Sequence, residues 1–133
     1  MANYKLDANA RYAKSHEWVR LEDGVAVVGI SDAAQDMISD VVYIELPQED
    51  AEVTAGSHVA DIESVKAAYE IFAPVTGKII AVNRELETTP ELVNQKPFET
   101  WFFKIAPSGD VQAELAALMS PQDYDKFVEE SDH

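Results

Sequence analysis

Residues 58–83 read HVADIESVKAAYEIFAPVTGKIIAVN, and this stretch decides the fold. Its β-rich runs predict three strands, at His58 to Ser64, Ala68 to Ala73 and Lys78 to Asn83. A Pro-Val-Thr-Gly turn at 74–77 separates the last two strands. Val65 and Lys66 separate the first two, although the Gly, Asn and Asp residues that favour two-residue hairpin turns are missing there. The stretch therefore predicts neighbouring strands with Lys66 exposed at their junction.

Further strands and short helices are predicted on both sides of this stretch. The additional strands are expected at Glu17 to Leu21, Val25 to Ile30, Val41 to Leu46 and Phe98 to Ile105. Helices are expected from Ser31, from Thr89-Pro90, over Asp110 to Met119 and over Pro121 to Glu130. Residues 1–14 are polar and predict a loose lead-in. Strands at near-regular spacing with peripheral helices predict a mainly β fold, either a compact sandwich or a flattened barrel.

The length and composition fit one domain. The chain has 133 residues, of which 47% are hydrophobic, and this supplies enough apolar material for one core but would leave two domains marginal. We therefore expect a single domain over residues 1–133, with a core at about 11–106 and a C-terminal helical extension at about 110–130.

The charge balance excludes several classes of partner. Ten Lys and Arg stand against 25 Asp and Glu, a formal net charge of −15, whereas nucleic acids and anionic membranes are bound by basic patches. No apolar run approaches the roughly 20 residues of a membrane span, and no signal-peptide core or transit peptide is visible. We therefore expect a cytoplasmic protein that docks onto positively charged proteins and binds neither nucleic acid nor membrane.

The residue types that most catalytic sites need are missing. The chain has no cysteine, which excludes disulfides, thiolate metal ligands and cysteine nucleophiles. Its three histidines, His16, His58 and His133, lack metal-ligand spacing, so no metal site is expected. Phosphate-binding glycine loops and a GxSxG nucleophile turn are also absent from the sequence. Any redox chemistry must come from a group attached to the chain.

Lys66 is isolated among acidic residues. Residues 21–77 contain twelve acidic side chains and a single lysine or arginine, Lys66. A lysine between two strands is often only a solubilising residue at a hairpin tip, and the residues alone favour that interpretation. The alternative is a lysine displayed for covalent modification, because an exposed turn lets a modifying enzyme approach from outside, and acylation would remove the charge.

The sequence around Lys66 resembles a known family. Glu63-Ser64-Val65-Lys66-Ala67 is similar to the lipoylation site of glycine cleavage system H proteins. Other motifs of that family follow in order over about residues 11–106: Lys14 to Val19, Gly29 to Gln35, Asp40 to Pro47, Ala73 to Gly77 with Val82-Asn83, and Pro90 to Asn94. Their order and spacing make the resemblance specific, and they favour the modified lysine over the solubilising one.

The resemblance implies a fold, a cofactor and a set of partners. The family has a lipoyl/biotinyl-type barrel-sandwich hybrid fold, with lipoate on the residue that matches Lys66. Its members are non-catalytic carriers that take the aminomethyl group of glycine from a pyridoxal-phosphate glycine decarboxylase to a tetrahydrofolate-dependent aminomethyltransferase. Dihydrolipoyl dehydrogenase reoxidises the arm, and a lipoate ligase or a lipoyl/octanoyl transferase attaches the lipoate. We expect this chain to act likewise, as a monomer.

The resemblance also implies three residues that stabilise the loaded arm, namely Ser15, Glu17 and Glu70. On the residues alone, Glu17 is equally well explained as a solvent-exposed carboxylate on an edge strand, and Glu70 as a charge on the outer face of a strand. His16 is the weakest candidate, as a general base, because a packed or surface histidine beside Trp18 explains it better. No catalytic residue is expected.

Two positions depart from the family pattern. Pro97-Phe98-Glu99-Thr100-Trp101 is shorter than the family's Pro-Tyr-Gly-x-Gly-Trp and lacks its glycines, so the loop is free to take another conformation. Glu70 stands where the family commonly has Asp, which keeps the carboxylate but places it on a longer side chain.

Other functions compete with this one. Lipoyl domains of 2-oxoacid dehydrogenases and biotinyl carriers usually have Asp-Lys-Ala or Met-Lys-Met at the modified lysine, unlike Ser64 to Ala67. An H-like protein that donates and accepts lipoyl groups in lipoate supply to 2-oxoacid dehydrogenases stays open, and the short loop at Phe98 to Trp101 slightly favours it. A hydrolase that uses Glu17 and His16 would lack a nucleophile, a metal cluster and an oxyanion turn.

Overall fold

The computed structural model describes residues 4–131, which form nine strands and five helices. The strands are β1 Arg11–Tyr12, β2 Glu17–Glu22, β3 Val25–Ile30, β4 Val41–Glu45, β5 Glu52–Val53, β6 His58–Ser64, β7 Ala68–Phe72, β8 Gly77–Val82 and β9 Phe103–Pro107. The helices are α1 Asp32–Ile38, α2 Glu85–Thr88, α3 Leu92–Gln95, α4 Val111–Ala116 and α5 Pro121–Ser131. The mainly β fold expected from the strand patterns is confirmed.

Two antiparallel sheets make up the body of the fold. Six strands pair in the order β1-β2-β3-β9-β8-β5, and three pair in the order β4-β6-β7. Buried residues from both sheets share one hydrophobic cluster, with Val28 and Ile105 from the first sheet and Ile62 and Ile71 from the second. Burial of one face of each sheet against the other removes apolar surface from water, the main favourable contribution to folding. The two sheets therefore pack over a common core.

The hairpin between β6 and β7 forms without the usual turn residues. Glu63 pairs with Ala68 in the ladder, and the Ser64 N–H donates to the Ala67 carbonyl at 2.9 Å. The Ser64 hydroxyl oxygen then accepts the N–H groups of Lys66 and Ala67, each at 3.1 Å. A serine side chain that bonds nearby backbone groups can replace glycine or asparagine in a turn. The predicted hairpin is confirmed, and the hydrogen bonds of the Ser64 side chain take the place of the missing Gly, Asn or Asp residues.

Helix α1 begins where the sequence predicts. Its N-cap is Ser31, whose hydroxyl oxygen accepts the Ala34 N–H at 3.0 Å and so satisfies one of the free N–H groups of the first turn. The helix buries Ala34 and Ile38 and ends at Ile38; the next residue, Ser39, caps it with a φ of 70° in the left-handed region. Within residues 4–131, neither α1 nor any other helix combines the length and apolar character that crossing a membrane requires.

The lead-in predicted for residues 1–14 is ordered over the part that is described. Residues 1–3 lie outside the described range, but Ala10 and Tyr12 are buried, and β1 pairs with β2. The ring of Tyr12 stacks on Tyr124 of α5, with ring centroids 4.4 Å apart. The loose lead-in was therefore a wrong prediction, because the partner that buries Tyr12 comes from the other end of the chain.

Three other boundaries differ from the predictions. The strand predicted at Phe98 begins only at Phe103, because the N–H groups of Glu99 and Thr100 donate to the Lys96 carbonyl and close a turn there. The short helix predicted to start at Thr89-Pro90 begins at Leu92 as α3, and the short helix α2 just before it was not predicted. The helix predicted to reach Met119 ends at Ala116, since Met119 instead exchanges backbone hydrogen bonds with Tyr12.

Candidate functional site

Lys66 lies exposed at the tip of the β6–β7 hairpin. Its Nζ is 3.4 Å from the carbonyl oxygen of Met37 in α1. The N–H of the neighbouring Val65 donates to the Asp40 carbonyl at 3.0 Å. These contacts hold the hairpin tip against the chain segment that contains the end of α1, and the Lys66 side chain stays accessible.

A cavity of about 260 Å³ lies next to this hairpin, between β2, α1, β6 and β7. Met37, whose carbonyl oxygen contacts Lys66, is part of its wall. The apolar part of the lining consists of Ile30, Ala34, Met37, Ile38, Ile62 and Ile71. The polar part is Ser15, His16, Glu17, Tyr69 and Glu70. The structure therefore brings Ser15, Glu17 and Glu70 to one cavity, although they come from distant parts of the chain.

Glu17 is almost completely buried, with 1% of its surface exposed. One carboxylate oxygen, Oε1, accepts the hydroxyl of Ser15, and the other, Oε2, accepts the N–H of Phe72 at 3.0 Å. Burial raises the pKa of Glu17, and the hydrogen bonds from Ser15 and Phe72 oppose that rise. The interpretation of Glu17 as a solvent-exposed carboxylate is wrong, because the adjoining β7 strand covers it.

Glu70 has a very different environment. Its side chain is 60% exposed, and it lies on β7 directly opposite Asp61 of β6. Its Oε2 is 3.9 Å from Nε2 of His58. The outer-face position inferred from the residues alone is what the structure shows, yet the same side chain also lines the cavity. The cavity thus has one deeply buried carboxylate and one carboxylate in contact with solvent.

His16 is held by residues that were not among the sequence candidates. Its Nδ1 is 2.7 Å from the hydroxyl of Tyr124, which is in turn 2.5 Å from the hydroxyl of Ser31. Burial lowers the pKa of His16, which favours the neutral ring. Its backbone has a φ of 80°, a strained conformation. Two backbone hydrogen bonds stabilise it: the His16 N–H donates to the Ala13 carbonyl at 2.9 Å, and the His16 carbonyl accepts the Ser31 N–H at 3.0 Å. The structure therefore shows a packed histidine at the cavity wall.

The apolar wall of the cavity was not predicted from the sequence. Met37 and Ile38 contribute to it from the apolar face of α1. That face is at the cavity because α1 packs where β2 and β7 meet, and the amphipathic spacing of α1 was the one signal available.

The cavity can hold a flexible apolar chain that ends in a cation. Its aliphatic wall suits a hydrocarbon chain, and its two carboxylates suit a positively charged end group. A charge-assisted hydrogen bond to a carboxylate is stronger when water is excluded, so the buried Glu17 would bind a cation more strongly than the exposed Glu70.

Two antiparallel sheets with short peripheral helices fit the barrel-sandwich fold of lipoyl/biotinyl-type carrier domains. Comparison with known proteins agrees with this class. The family model for the glycine cleavage H-protein matches residues 10–131. The chain is therefore a member of the glycine cleavage H-protein family, whose members are carrier components of the glycine cleavage system.

Individual relatives are similar over nearly their whole length. The chain is 44% identical over 130 residues to the probable glycine cleavage system H protein of Thermococcus gammatolerans, covering 97% of this chain and 96% of the relative. It is 48% identical over 125 residues to glycine cleavage system H protein 2 of Pseudomonas aeruginosa, covering 93% and 95%. The crystal structure of a glycine cleavage system H protein from Mycobacterium marinum has the same fold, with a TM-score of 0.81 at 23% identity over 96% of this chain and 100% of that one.

Proposed function

We propose that this protein carries lipoate in amide linkage to Nζ of Lys66 and shuttles the aminomethyl group of glycine between the enzymes of the glycine cleavage system. The observation that carries the proposal is the position of Lys66 at an exposed hairpin tip next to a cavity that contains Ser15, Glu17 and Glu70. The protein itself performs no catalytic step, and its task is to present, shelter and release the carried group.

The residues at this position fit the lipoyl group. Lysyl and lipoyl atoms together give an arm on the order of 14 Å from ordinary bond lengths, enough to reach from the hairpin tip to a partner. When bound, lipoate supplies a disulfide that accepts the aminomethyl group and is later restored by oxidation. The aliphatic residues of the cavity can contact the hydrocarbon part of the arm, and the chain has no thiol that could exchange with its disulfide.

Ser15, Glu17 and Glu70 shelter the carried amine. The free amine can expel the sulfur to which its carbon is attached, so holding the amine protonated slows the loss of the group. Glu17 supplies a buried negative charge, and Ser15 orients its Oε1 atom. Glu70 adds a second negative charge on the solvent side. Both carboxylates raise the pKa of a nearby amine, and the apolar wall limits the access of water.

The partners of this carrier are glycine decarboxylase, aminomethyltransferase and dihydrolipoyl dehydrogenase. A lipoate ligase or a lipoyl/octanoyl transferase modifies Lys66 by reading the hairpin. The net charge of −15 steers the protein towards basic surfaces on these enzymes. We place all of these encounters in the cytoplasm.

Lipoylation of the co-expressed protein tests the attachment site. Peptide mass spectrometry of the protein produced with a lipoate ligase is expected to find the lipoyl increment on Lys66, and Lys66→Arg to abolish it. Lys78→Arg is the matched control, because Lys78 is also an exposed lysine on a strand of the same fold. Lipoate on Lys78 or Lys104 in place of Lys66 would overturn the assignment.

Glycine-dependent exchange separates the proposed function from lipoyl relay. The lipoylated protein, incubated with glycine decarboxylase, glycine and labelled bicarbonate, is expected to support incorporation of label into glycine. The Lys66→Arg protein is expected to support none. A lipoylated protein that fails here, but transfers its lipoyl group to the lipoyl domain of a 2-oxoacid dehydrogenase, would instead act in lipoate supply.

A further inference from the structure

Three metal-ligating side chains meet on the exposed side of the three-stranded sheet. His58 and Asp61 come from β6, and Glu70 comes from β7. His58 Nε2 is 2.8 Å from Asp61 Oδ1 and 3.9 Å from Glu70 Oε2. One potential ligand atom from each residue lies within 4.8 Å of the other two.

An irregularity in β6 creates this cluster. Side chains alternate along a strand, so residues three apart normally point to opposite faces. The pairing of β6 with β7 shifts by one residue between His58 and Ala60, which places His58 on the same face as Asp61. Asp61 is directly paired with Glu70 in the antiparallel ladder, so the backbone fixes the separation of all three residues.

A positive charge beside Asp61 and Glu70 would be electrostatically favourable. Like charges directly opposite each other on paired strands repel, and the net charge of −15 adds to the repulsion between Asp61 and Glu70. Both carboxylates have His58 as an ion-pair partner, but an imidazole supplies a positive charge only when it is protonated. A bound cation would relieve the repulsion independently of the state of the ring.

We propose that His58, Asp61 and Glu70 form a binding site for a divalent transition-metal ion, with Zn²⁺ as its best-fitting ion. Ligand atoms about 2.0–2.2 Å from a tetrahedral zinc are about 3.3–3.6 Å from one another. The separations of 2.8 and 3.9 Å between His58 and the two carboxylates lie on either side of that range. One imidazole nitrogen with two carboxylates is a ligand set that zinc accepts, and a water molecule can complete the tetrahedron.

The site shares Glu70 with the cavity beside Lys66. If Glu70 shelters the carried amine, as the proposed function has it, a metal ion on Glu70 competes for the same carboxylate. Binding of the ion itself does not depend on that function. Zinc binding is therefore tested on the non-lipoylated protein, which has no dihydrolipoyl thiol that could bind the ion.

The test is a Zn²⁺ titration of the full-length, untagged, non-lipoylated protein in competition with a chromophoric chelator. We expect one ion per chain, and weakening of at least about tenfold in each of His58→Gln, Asp61→Asn and Glu70→Gln, since even outer-shell changes cost about 10- to 100-fold at zinc sites. Glu63→Gln, an exposed charge-matched change on the same strand, and His133→Gln are expected to leave the affinity unchanged.

Three results would overturn the site. The first is a titration that cannot be distinguished from a protein-free blank. The second is zinc binding that all three ligand variants retain, and the third is zinc binding that His133→Gln abolishes. All three ligand side chains are at least 40% exposed, so their replacement leaves the core intact, and circular dichroism melts verify this for each variant. Absence of zinc binding by the wild-type protein, together with normal lipoylation of Lys66, would reject this site and leave the proposed function standing.

Discussion

The carboxylate of Glu17 accepts a hydrogen bond from the backbone N–H of Phe72, at 3.0 Å, and this bond joins the two sheets. Glu17 begins β2 of the six-stranded sheet, and Phe72 ends β7 of the three-stranded sheet. The bond lies at the wall of the cavity beside Lys66, where Glu17 is 1% exposed. A carboxyl group is thus held where the fold has almost no water to solvate it, which bears on stability and on the proposed sheltering of an amine.

Replacing either carboxylate is expected to shorten the lifetime of the carried group. Charge-assisted hydrogen bonds shielded from water are worth about 1.5–3 kcal/mol. Glu17→Gln should therefore speed the loss of the aminomethyl group roughly 10- to 100-fold, at about 1.4 kcal/mol per factor of ten. Glu70→Gln should have a smaller effect, because its exposed side chain is partly screened by water. Release of formaldehyde and ammonia from each loaded protein, timed without aminomethyltransferase, measures the effect.

Both variants should still accept lipoate at Lys66, so their loading can be matched before the release is timed. Glu63→Gln removes an equal charge from the exposed end of β6 and should release at the wild-type rate. Equal half-lives for wild type, Glu17→Gln and Glu70→Gln would make the two carboxylates ordinary side chains.

Glu17→Gln is expected to stabilise the fold at neutral and alkaline pH. Burial raises the pKa of Glu17, so the folded state favours its protonated form. The contribution of Glu17 to stability is present below its unfolded-state pKa and is lost as the pH rises through the folded-state pKa. A glutamine at this position does not ionise, so it causes no loss of stability at high pH, and its amide oxygen can still accept the Phe72 N–H. Its melting temperature should exceed that of the wild type at about pH 8, by roughly 3–5 °C for each kcal/mol gained, and match it at about pH 4.

Thermal unfolding monitored by circular dichroism, in steps across this pH range, gives the two curves. A constant offset between wild type and variant at every pH would show that the ionisation of Glu17 does not affect stability.

Tyr124→Phe is expected to destabilise the docking of the C-terminal helix α5. The Tyr124 hydroxyl lies 2.5 Å from that of Ser31 and 2.7 Å from Nδ1 of His16, and burial raises its pKa. Its removal leaves buried polar groups without that partner, at a cost of about 1–3 kcal/mol. Urea unfolding should show a lower midpoint with an unchanged slope. Tyr43→Phe, at a half-exposed position on β4, is the control and should unfold like the wild type.

Docking onto the glycine decarboxylase is expected to weaken with salt. The net charge is −15, and the proposed lipoylation of Lys66 would make it −16 by removing one positive charge. Because the Debye length falls from about 30 Å at 0.01 M to about 10 Å at 0.1 M salt, the Michaelis constant for this protein in glycine exchange should rise with ionic strength. Free lipoamide, an uncharged acceptor, serves as the control, and the same salt response for both would rule out electrostatic steering.

Local sequence predicted the parts of the fold that depend on near neighbours. Alternating residues are sufficient to specify β6 and β7, because strand formation and side-chain direction follow a period of two. The N-cap at Ser31 likewise involves residues only three positions apart. The position of Lys66 between two strands followed from the same patterns, and the residues around it carried the family resemblance.

Tertiary structure decided what those residues can do. From the sequence alone, Glu17 was equally well explained as a solvent-exposed carboxylate, and Tyr12 was part of a predicted loose lead-in. In the fold, β7 covers Glu17 and Tyr124 stacks on Tyr12. The burial of a side chain and its distance from other charged groups depend on which distant segments pack against it. Neither can therefore be predicted from one segment of the sequence. The sequence by itself determined that a lysine would be displayed, whereas only the packing of the two sheets decided that a buried carboxylate would lie beside it.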